Sequence, residues 1–338
     1  MSLRRYAARR LLLLLPVLLA VTVVTFALSH VIPGDPARLV AGINAPQEEV
    51  EDVRGELGLD RSFVAQYGIY MTRLVTGDLG TSHVTQRAVR EDLREFFPAT
   101  FELAVAALVI ALGLGVPMGV LAALHQGRFA DQISRLIALA GVALPSFWLA
   151  IVLLLIFYRN LGWVPGSGRS SDIAVQTTLP RITGMLVVDS LLQGRWSLAK
   201  DALWHLVLPA FCLSLTTLAL VIRMTRSSMV EVLGQPYVAS ARARGLPERR
   251  VILVHALKNA LIPVLTIVGL AFGFLLGGAV LIEKVFAWPG LGLYAVDSIS
   301  YLDYNAILGV TLVATLSFML VNLAVDLLYA KLDPRIRL

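Results

Sequence analysis

The sequence predicts an all-α integral membrane protein with six spanning helices. Three observations predict it. Hydrophobic residues make up 57% of the 338 positions and charged ones only 15%, with a mean hydropathy of +0.76. An average soluble domain carries about 25% charged residues. Apolar runs recur at approximately 10–32, 98–124, 134–158, 203–223, 262–284 and 305–329, each near the roughly 20 residues a helix needs to cross the hydrocarbon. The polar segments between them carry opposite charge on alternate sides.

The first run follows Arg4, Arg5, Arg9 and Arg10. Its basic start and leucine-rich core are those of a signal peptide. It continues through Phe26 to Ile32 without a small-x-small cleavage pattern, so it reads as an uncleaved first span. A long polar segment, 33–97, follows. It opens on the turn Ile32-Pro33-Gly34-Asp35-Pro36. A helix is expected over 46–57, with Glu48, Glu49, Glu51 and Asp52 in its early turns and Gly58 at its end. A second is expected over 62–75, and 77–82 is loop. The acidity of the segment biases which ligands or protein surfaces approach it.

Internal prolines at 16, 117, 145 and 209 predict local kinks in the spans, which membrane bundles tolerate. The second long polar segment, 159–202, contains a Gly/Pro-rich loop at 162–168. Its apolar stretch at 186–192 is too short to span, and is either an interfacial or a packed helix. The third polar segment on this side is short, Val285-Phe286-Ala287-Trp288-Pro289-Gly290-Leu291-Gly292. Trp288 suits the membrane interface and Pro-Gly marks a turn.

On the other side lies a basic elbow, 235–263, between two apolar runs. A helical signal from Tyr237 to Arg244 breaks at Gly245 and Pro247, then restarts. Six spans put both termini on one face, and the basic N-terminus makes that face cytoplasmic. The inner segments hold sixteen Lys and Arg against four acidic residues, and the outer ones twelve against sixteen. Membrane insertion requires such a basic inner face, so the net charge of +6 needs no nucleic-acid partner.

The chain has no Gly-x-x-x-x-Gly-Lys-Ser/Thr phosphate loop, no His-Glu-x-x-His, no Gly-x-Ser-x-Gly and no acidic calcium loop. It has no visible means of binding ATP, and no catalytic residue, cofactor site or metal site is assigned. The histidines at 30, 83, 125, 205 and 255 show no metal-ligand spacing. His255 stands apart because it lies in the elbow. Cys212, the one cysteine, sits in an apolar run as a packing residue. Glu102, Glu283 and Asp326 are the ionisable residues within spans, and each is a candidate functional group. Structural roles are favoured for Glu102, near an outer end, and Asp326, near an inner end within reach of Lys331. No chain of carboxylates crosses the membrane, which argues against an ion-coupled secondary transporter. A stand-alone channel and a membrane scaffold also fit a bundle of apolar helices. A basic elbow without an energy source calls instead for an energy-coupling partner on the cytoplasmic side.

The elbow resembles the cytoplasmic loop of bacterial ABC importer permeases, whose pattern is Glu-Ala-Ala-x-x-x-Gly followed by an apolar stretch and a Pro. Here Ala239, Ser240, Ala241, Gly245 and Pro263 align, with Ala239 at the Glu position. That departure fits the more basic peptide/nickel branch. So do the run from Arg223 and Arg226 through Leu233 followed by Tyr237, Ala241-Arg242-Ala243-Arg244-Gly245-Leu246, and His255-Ala256-Leu257-Lys258-Asn259-Ala260 with Pro263. Ile32-Pro33-Gly34-Asp35-Pro36, Gly77-Asp78-Leu79-Gly80, Trp288-Pro289-Gly290-Leu291-Gly292 and Asp333-Pro334-Arg335-Ile336-Arg337 resemble the first permease subunit of dipeptide importers.

The resemblance implies a type I ABC importer transmembrane domain in the bacterial inner membrane. It implies a homologous second permease, two ATPase subunits that use ATP and Mg, and an extracytoplasmic solute-binding protein. Residues 1–97 would form the N-terminal helix and extracytoplasmic segment, 98–329 the permease core and 330–338 a cytoplasmic tail. The elbow would be the coupling helix, docking on the ATPase through Tyr237, Ala239, Ser240, Ala241, Arg242, Ala243, Arg244, Gly245 and Leu246. Arg223, Arg226, His255, Asn259 and Pro263 would support it. Small alanines would allow close approach, and the arginines would meet partner carboxylates. Di- or short peptides are the implied substrates, and glutathione, nickel chelates or haem are carried by related importers.

Overall fold

The computed structural model describes residues 3–31, 35–42, 44–172 and 179–332. The motif residues 32–34 and the tail 333–338 lie outside them, as does the Lys331 side chain. Among the described residues the chain is helical, with a lone β-bridge between Thr81 and Ala88.

Helix α1 (Leu3–Val31) runs unbroken through Pro16. Asp35 then caps the short α2 (Pro36–Ala41) by accepting the Ala37 N–H at 3.1 Å, and Pro36 takes the first helical position, where no donor is needed. Arg54 of α3 (Gln47–Glu56) returns to Asp35 at 2.6 Å. Helix α4 (Phe63–Val75) meets α1 around Thr22 and Phe26. Its Phe63, Tyr67 and Tyr70 rings surround Phe26, and the Tyr67 and Thr22 hydroxyls meet at 3.0 Å. The start of the polar segment is thus folded onto the first span.

Helix α5 (Val89–Leu124) carries Pro98 and Pro117 without a break. The third apolar run does break. Helix α6 (Phe129–Ala143) ends before Pro145, and α7 (Ser146–Leu153), continued by a π turn at Leu154–Asn160, leaves at 106°. Proline disfavours helical geometry in the residue before it, and Leu144 is extended at φ −90°, ψ 131°. The expected kink at 145 is therefore a corner, and 134–158 is not one straight span. The stretch expected to be interfacial or packed is α8 (Leu186–Leu192), with Leu186, Asp189 and Ser190 buried.

The long α9 (Trp196–Leu233) is the centre of the bundle. It crosses α5 on a stripe of small residues, Ala107, Ala111, Gly115 and Gly119, all buried. Spacing of four places them on one face, and small residues let membrane helices approach closely. A Cβ on Gly119 would stand 2.6 Å from Thr225 Cβ and 2.9 Å from the Ile222 carbonyl oxygen. A backbone oxygen cannot rotate away, so Gly119→Leu should force the helices apart. Overpacking costs about 1–3 kcal/mol. A lower unfolding temperature of the detergent-solubilised variant checks this.

After α9 come α10 (Pro236–Ala243), α11 (Glu248–Arg250), a π turn at Val251–Ala256 and α12 (Leu257–Phe286). The chain then bends by 88° into α13 (Leu291–Ser300), a helix that the sequence pattern does not announce, and ends in α14 (Tyr304–Leu332). Among the described residues, four segments are long and apolar enough to cross a membrane unbroken: Val89–Leu124, Trp196–Leu233, Glu248–Gly277 and Tyr304–Leu327. The two bent pairs raise that number to six, and α1 contributes a shorter apolar stretch, Leu12–Leu28.

Buried carboxylates staple one end of this bundle. Glu102 pairs with Arg169 at 2.6 Å and accepts the backbone N–H groups of Leu186 (3.2 Å) and Val187 (2.8 Å). Arg169 also donates to the Gly184 carbonyl and lies over the Trp288 ring. The pattern places Trp288 at the membrane interface. It is instead fully enclosed, its indole N–H donating to the Ala99 carbonyl at 3.0 Å. Glu283 accepts from Thr100 Oγ1 at 2.5 Å and from the Leu293 N–H at 3.0 Å, so a residue of α12 caps the start of α13 across the bend. Asp303 accepts from Ser82 Oγ and the His83 N–H, and Asp92 from Thr85 and Tyr294. Asp189 organises the loop before α8. Burial pushes its carboxyl up, but Thr183 and the 182–184 backbone N–H groups outweigh that and hold it below its ordinary value. Glu102 and Glu283 therefore have structural partners, each accepting at least two hydrogen bonds.

Candidate functional site

The elbow is built on two stems. One is the end of α9. The other is the π turn with the start of α12. Met229, Ala256 and Ala260 pack with Val120 and Ala123 of α5, so both stems are fixed to the bundle at the same place.

Pro236 stands first in α10, where its missing N–H costs nothing. Gly245 ends the turn at φ +75°, in the left-handed region where a side chain is strained. No atom lies within 4 Å of where its Cβ would be, so conformation and not space demands glycine. Pro247 then restarts the chain ahead of Glu248.

Val238 and Ala241, three residues apart, face inward. With Val251 they form a small apolar core closed by Val232, Leu233 and Leu246. Ala241 is 1% exposed, so this residue, expected on the docking face, meets the elbow's own core. Leu246 likewise contributes to that core. The outward face carries Tyr237, Ala239, Ser240, Arg242, Ala243, Arg244 and Gly245.

Three contacts hold this face. Arg242 straddles Glu248, with an Nη2 contact of 2.7 Å and Nε contacts of 3.2 Å to both oxygens, bridging α10 to α11. Its expected partner is a carboxylate on another chain; here it is the elbow's own Glu248. Arg244 Nε donates to the Ser240 carbonyl at 3.3 Å. Asn259 Nδ2 donates to the Tyr237 hydroxyl at 2.8 Å, joining α10 to the α12 stem across 22 positions. Arg249 and Arg250 are exposed. Glu248 is the only acidic residue in 235–263, so the surface as a whole is basic.

The supporting residues divide. Arg226 grips Asp131 with two contacts, 2.6 and 3.0 Å, and Arg135 binds the same carboxylate from one helical turn away. The Gly127 N–H completes it at 2.9 Å. Asp131 is fully buried. It links the α5–α6 turn to α9 just ahead of the elbow. The four-residue spacing of Asp131 and Arg135 is a legible signal; the long-range partner is not. His255 lies half-buried on the π turn. Arg223 and Pro263 are not fully buried, and neither joins the elbow core.

The geometry is that of a rigid basic knuckle projecting from two helices. Models of known families place it. A model of binding-protein-dependent transport system inner membrane components matches residues 115–338, which include the whole elbow. The chain belongs to that family. A model of the N-terminal part of such membrane components covers residues 3–104 of this permease. Over 320 residues, the permease is 48% identical to a protein of Escherichia coli strain K12 named "Probable D,D-dipeptide transport system permease protein DdpB", covering 95% of this chain and 94% of the relative. It is 45% identical to the dipeptide transport system permease protein DppB of Alkalihalophilus pseudofirmus, over 98% of this chain and 99% of the relative. It is 40% identical to the glutathione transport system permease protein GsiC of Escherichia coli O6:H1, over 98% of each chain. The permease is thus a multi-pass inner-membrane protein.

Proposed function

We propose that this permease is one half of the translocation pathway of an ATP-driven importer for dipeptides or other short peptides. The observation that carries the proposal is the elbow. It has its own core, two anchored stems and an outward basic face, which suits a part that receives motion from a partner and passes it to the spans. Six spans, taken as α1, α5, the bent pair α6–α7, α9, α12 and α14, with α13 outside the membrane, put both termini and the elbow on the cytoplasmic face. ATP and Mg are used by two ATPase subunits docked there. A homologous second permease completes the pathway, and an extracytoplasmic binding protein delivers the substrate. The names of the most similar relatives support the peptide class.

Reconstitution with a second permease, the ATPase subunits and a binding protein tests this reading. Uptake of a labelled dipeptide into proteoliposomes should require ATP hydrolysis and the binding protein. Uptake that continues with a hydrolysis-deficient ATPase overturns the importer reading. Uptake of glutathione in preference to dipeptides overturns the substrate class alone.

A further inference from the structure

An open groove of about 500 Å³ runs between the π turn at Leu154–Asn160 and the end of α12. Ile151, Leu155 and Val285 make it apolar. Its floor is built. The Tyr158 ring lies on Gly166, where a Cβ would stand 2.7 Å from the ring. The Gly168 N–H donates to the Phe286 carbonyl at 2.9 Å, which ties the loop to the end of α12.

Among the described residues, two cations line the groove, Arg159 and Lys284, and no carboxylate does. Arg159 is exposed, and no carboxylate pairs with it among the described residues. Lys284 lies 3.9 Å from Asp297, at the limit of an ion pair, and both are about half exposed. Trp163, 61% exposed and in ring contact with Phe157, stands where the π turn ends. Exposed tryptophans mark the headgroup level of a membrane.

We propose that this groove binds an anionic phospholipid, with an acyl chain along Ile151, Leu155 and Val285 and the phosphate held by Arg159 and Lys284. Charge decides between this occupant and a protein helix. A helix seated here would bury both cations, which is costly without matching acids. A lipid leaves both heads at the water boundary while their stems cover apolar surface.

The test uses the purified permease with its copurifying subunits, exchanged from phosphatidylcholine into mixtures with phosphatidylglycerol and read by native mass spectrometry. Phosphatidylglycerol should be retained in preference to phosphatidylcholine. Arg159→Gln and Lys284→Gln should each weaken that retention about fivefold, the equivalent of ~1 kcal/mol per basic residue at a lipid surface. Arg159→Lys, which keeps the charge, should retain the lipid. Equal retention of both lipids, or an unchanged double variant, overturns the proposal. So does an efficient crosslink from a Leu155→Cys variant to a second permease. Retention is read without transport, so its failure leaves the importer reading untouched.

Discussion

Ala241→Arg is expected to abolish substrate-stimulated ATP hydrolysis in the reconstituted transporter, while Ala239→Arg leaves most of it. The two alanines are two residues apart, and composition alone treats them alike. Ala241 is enclosed by Val238, Val251 and Leu246, whereas Ala239 is exposed. A guanidinium at 241 has no carboxylate to meet, because Glu248 already holds Arg242. Burying an unpaired charge costs several kcal/mol. An eight-residue helix has little stability of its own. The variant therefore relieves the charge by lifting α10 off its stems. The spans are untouched, so membrane yield should stay near normal. Stimulated hydrolysis should fall by on the order of tenfold or more, which corresponds to ~1.4 kcal/mol of lost coupling. Wild-type stimulation in Ala241→Arg would show that the inner core of the elbow transmits nothing.

The second large effect concerns the opposite staple. Glu102→Ala removes the partner of a buried arginine and the acceptor of two backbone N–H groups. Breaking a buried pair from one side costs about 3–5 kcal/mol, because the remaining charge is left uncompensated. The unfolding temperature in detergent should fall by roughly 10 °C. Glu102→Leu combined with Arg169→Met removes both charges and should recover much of that loss, since a buried pair replaced by apolar residues is often neutral. A double variant as unstable as Glu102→Ala would mean that the backbone hydrogen bonds, and not the stranded arginine, dominate. Differential scanning fluorimetry on the three proteins separates the cases.

Legibility in the sequence differs by element. The elbow's helix and its break are local chemistry: Pro236 starts it, Gly245 takes a positive φ and Pro247 restarts the chain. The sequence shows all three. The inward turn of Val238 and Ala241 is not local, because it depends on Val251 arriving from the far stem. The same contrast holds for proline. Of the four internal prolines expected to kink the spans, Pro16, Pro117 and Pro209 lie within helices that continue past them, and only Pro145 marks a corner. Which proline breaks a helix depends on what neighbouring helices supply to the freed backbone groups. Trp288 misleads for a related reason. A tryptophan after an apolar run is a belt residue by pattern, but Ala99 and Arg169 enclose this one.

By itself the sequence determined that the chain lives in a membrane, where its apolar helices lie and where the elbow bends. Hydrocarbon makes these local demands: each segment must be long, apolar and internally hydrogen-bonded whatever its neighbours are. Only the tertiary structure decided the partner of each charge. Glu102 meets Arg169, Asp131 meets Arg226 and Glu283 meets Thr100 across separations of 67, 95 and 183 residues. Membrane helices must bury their few polar groups against whichever helix is adjacent, and adjacency is set by the packing of small-residue faces, which sequence order does not specify.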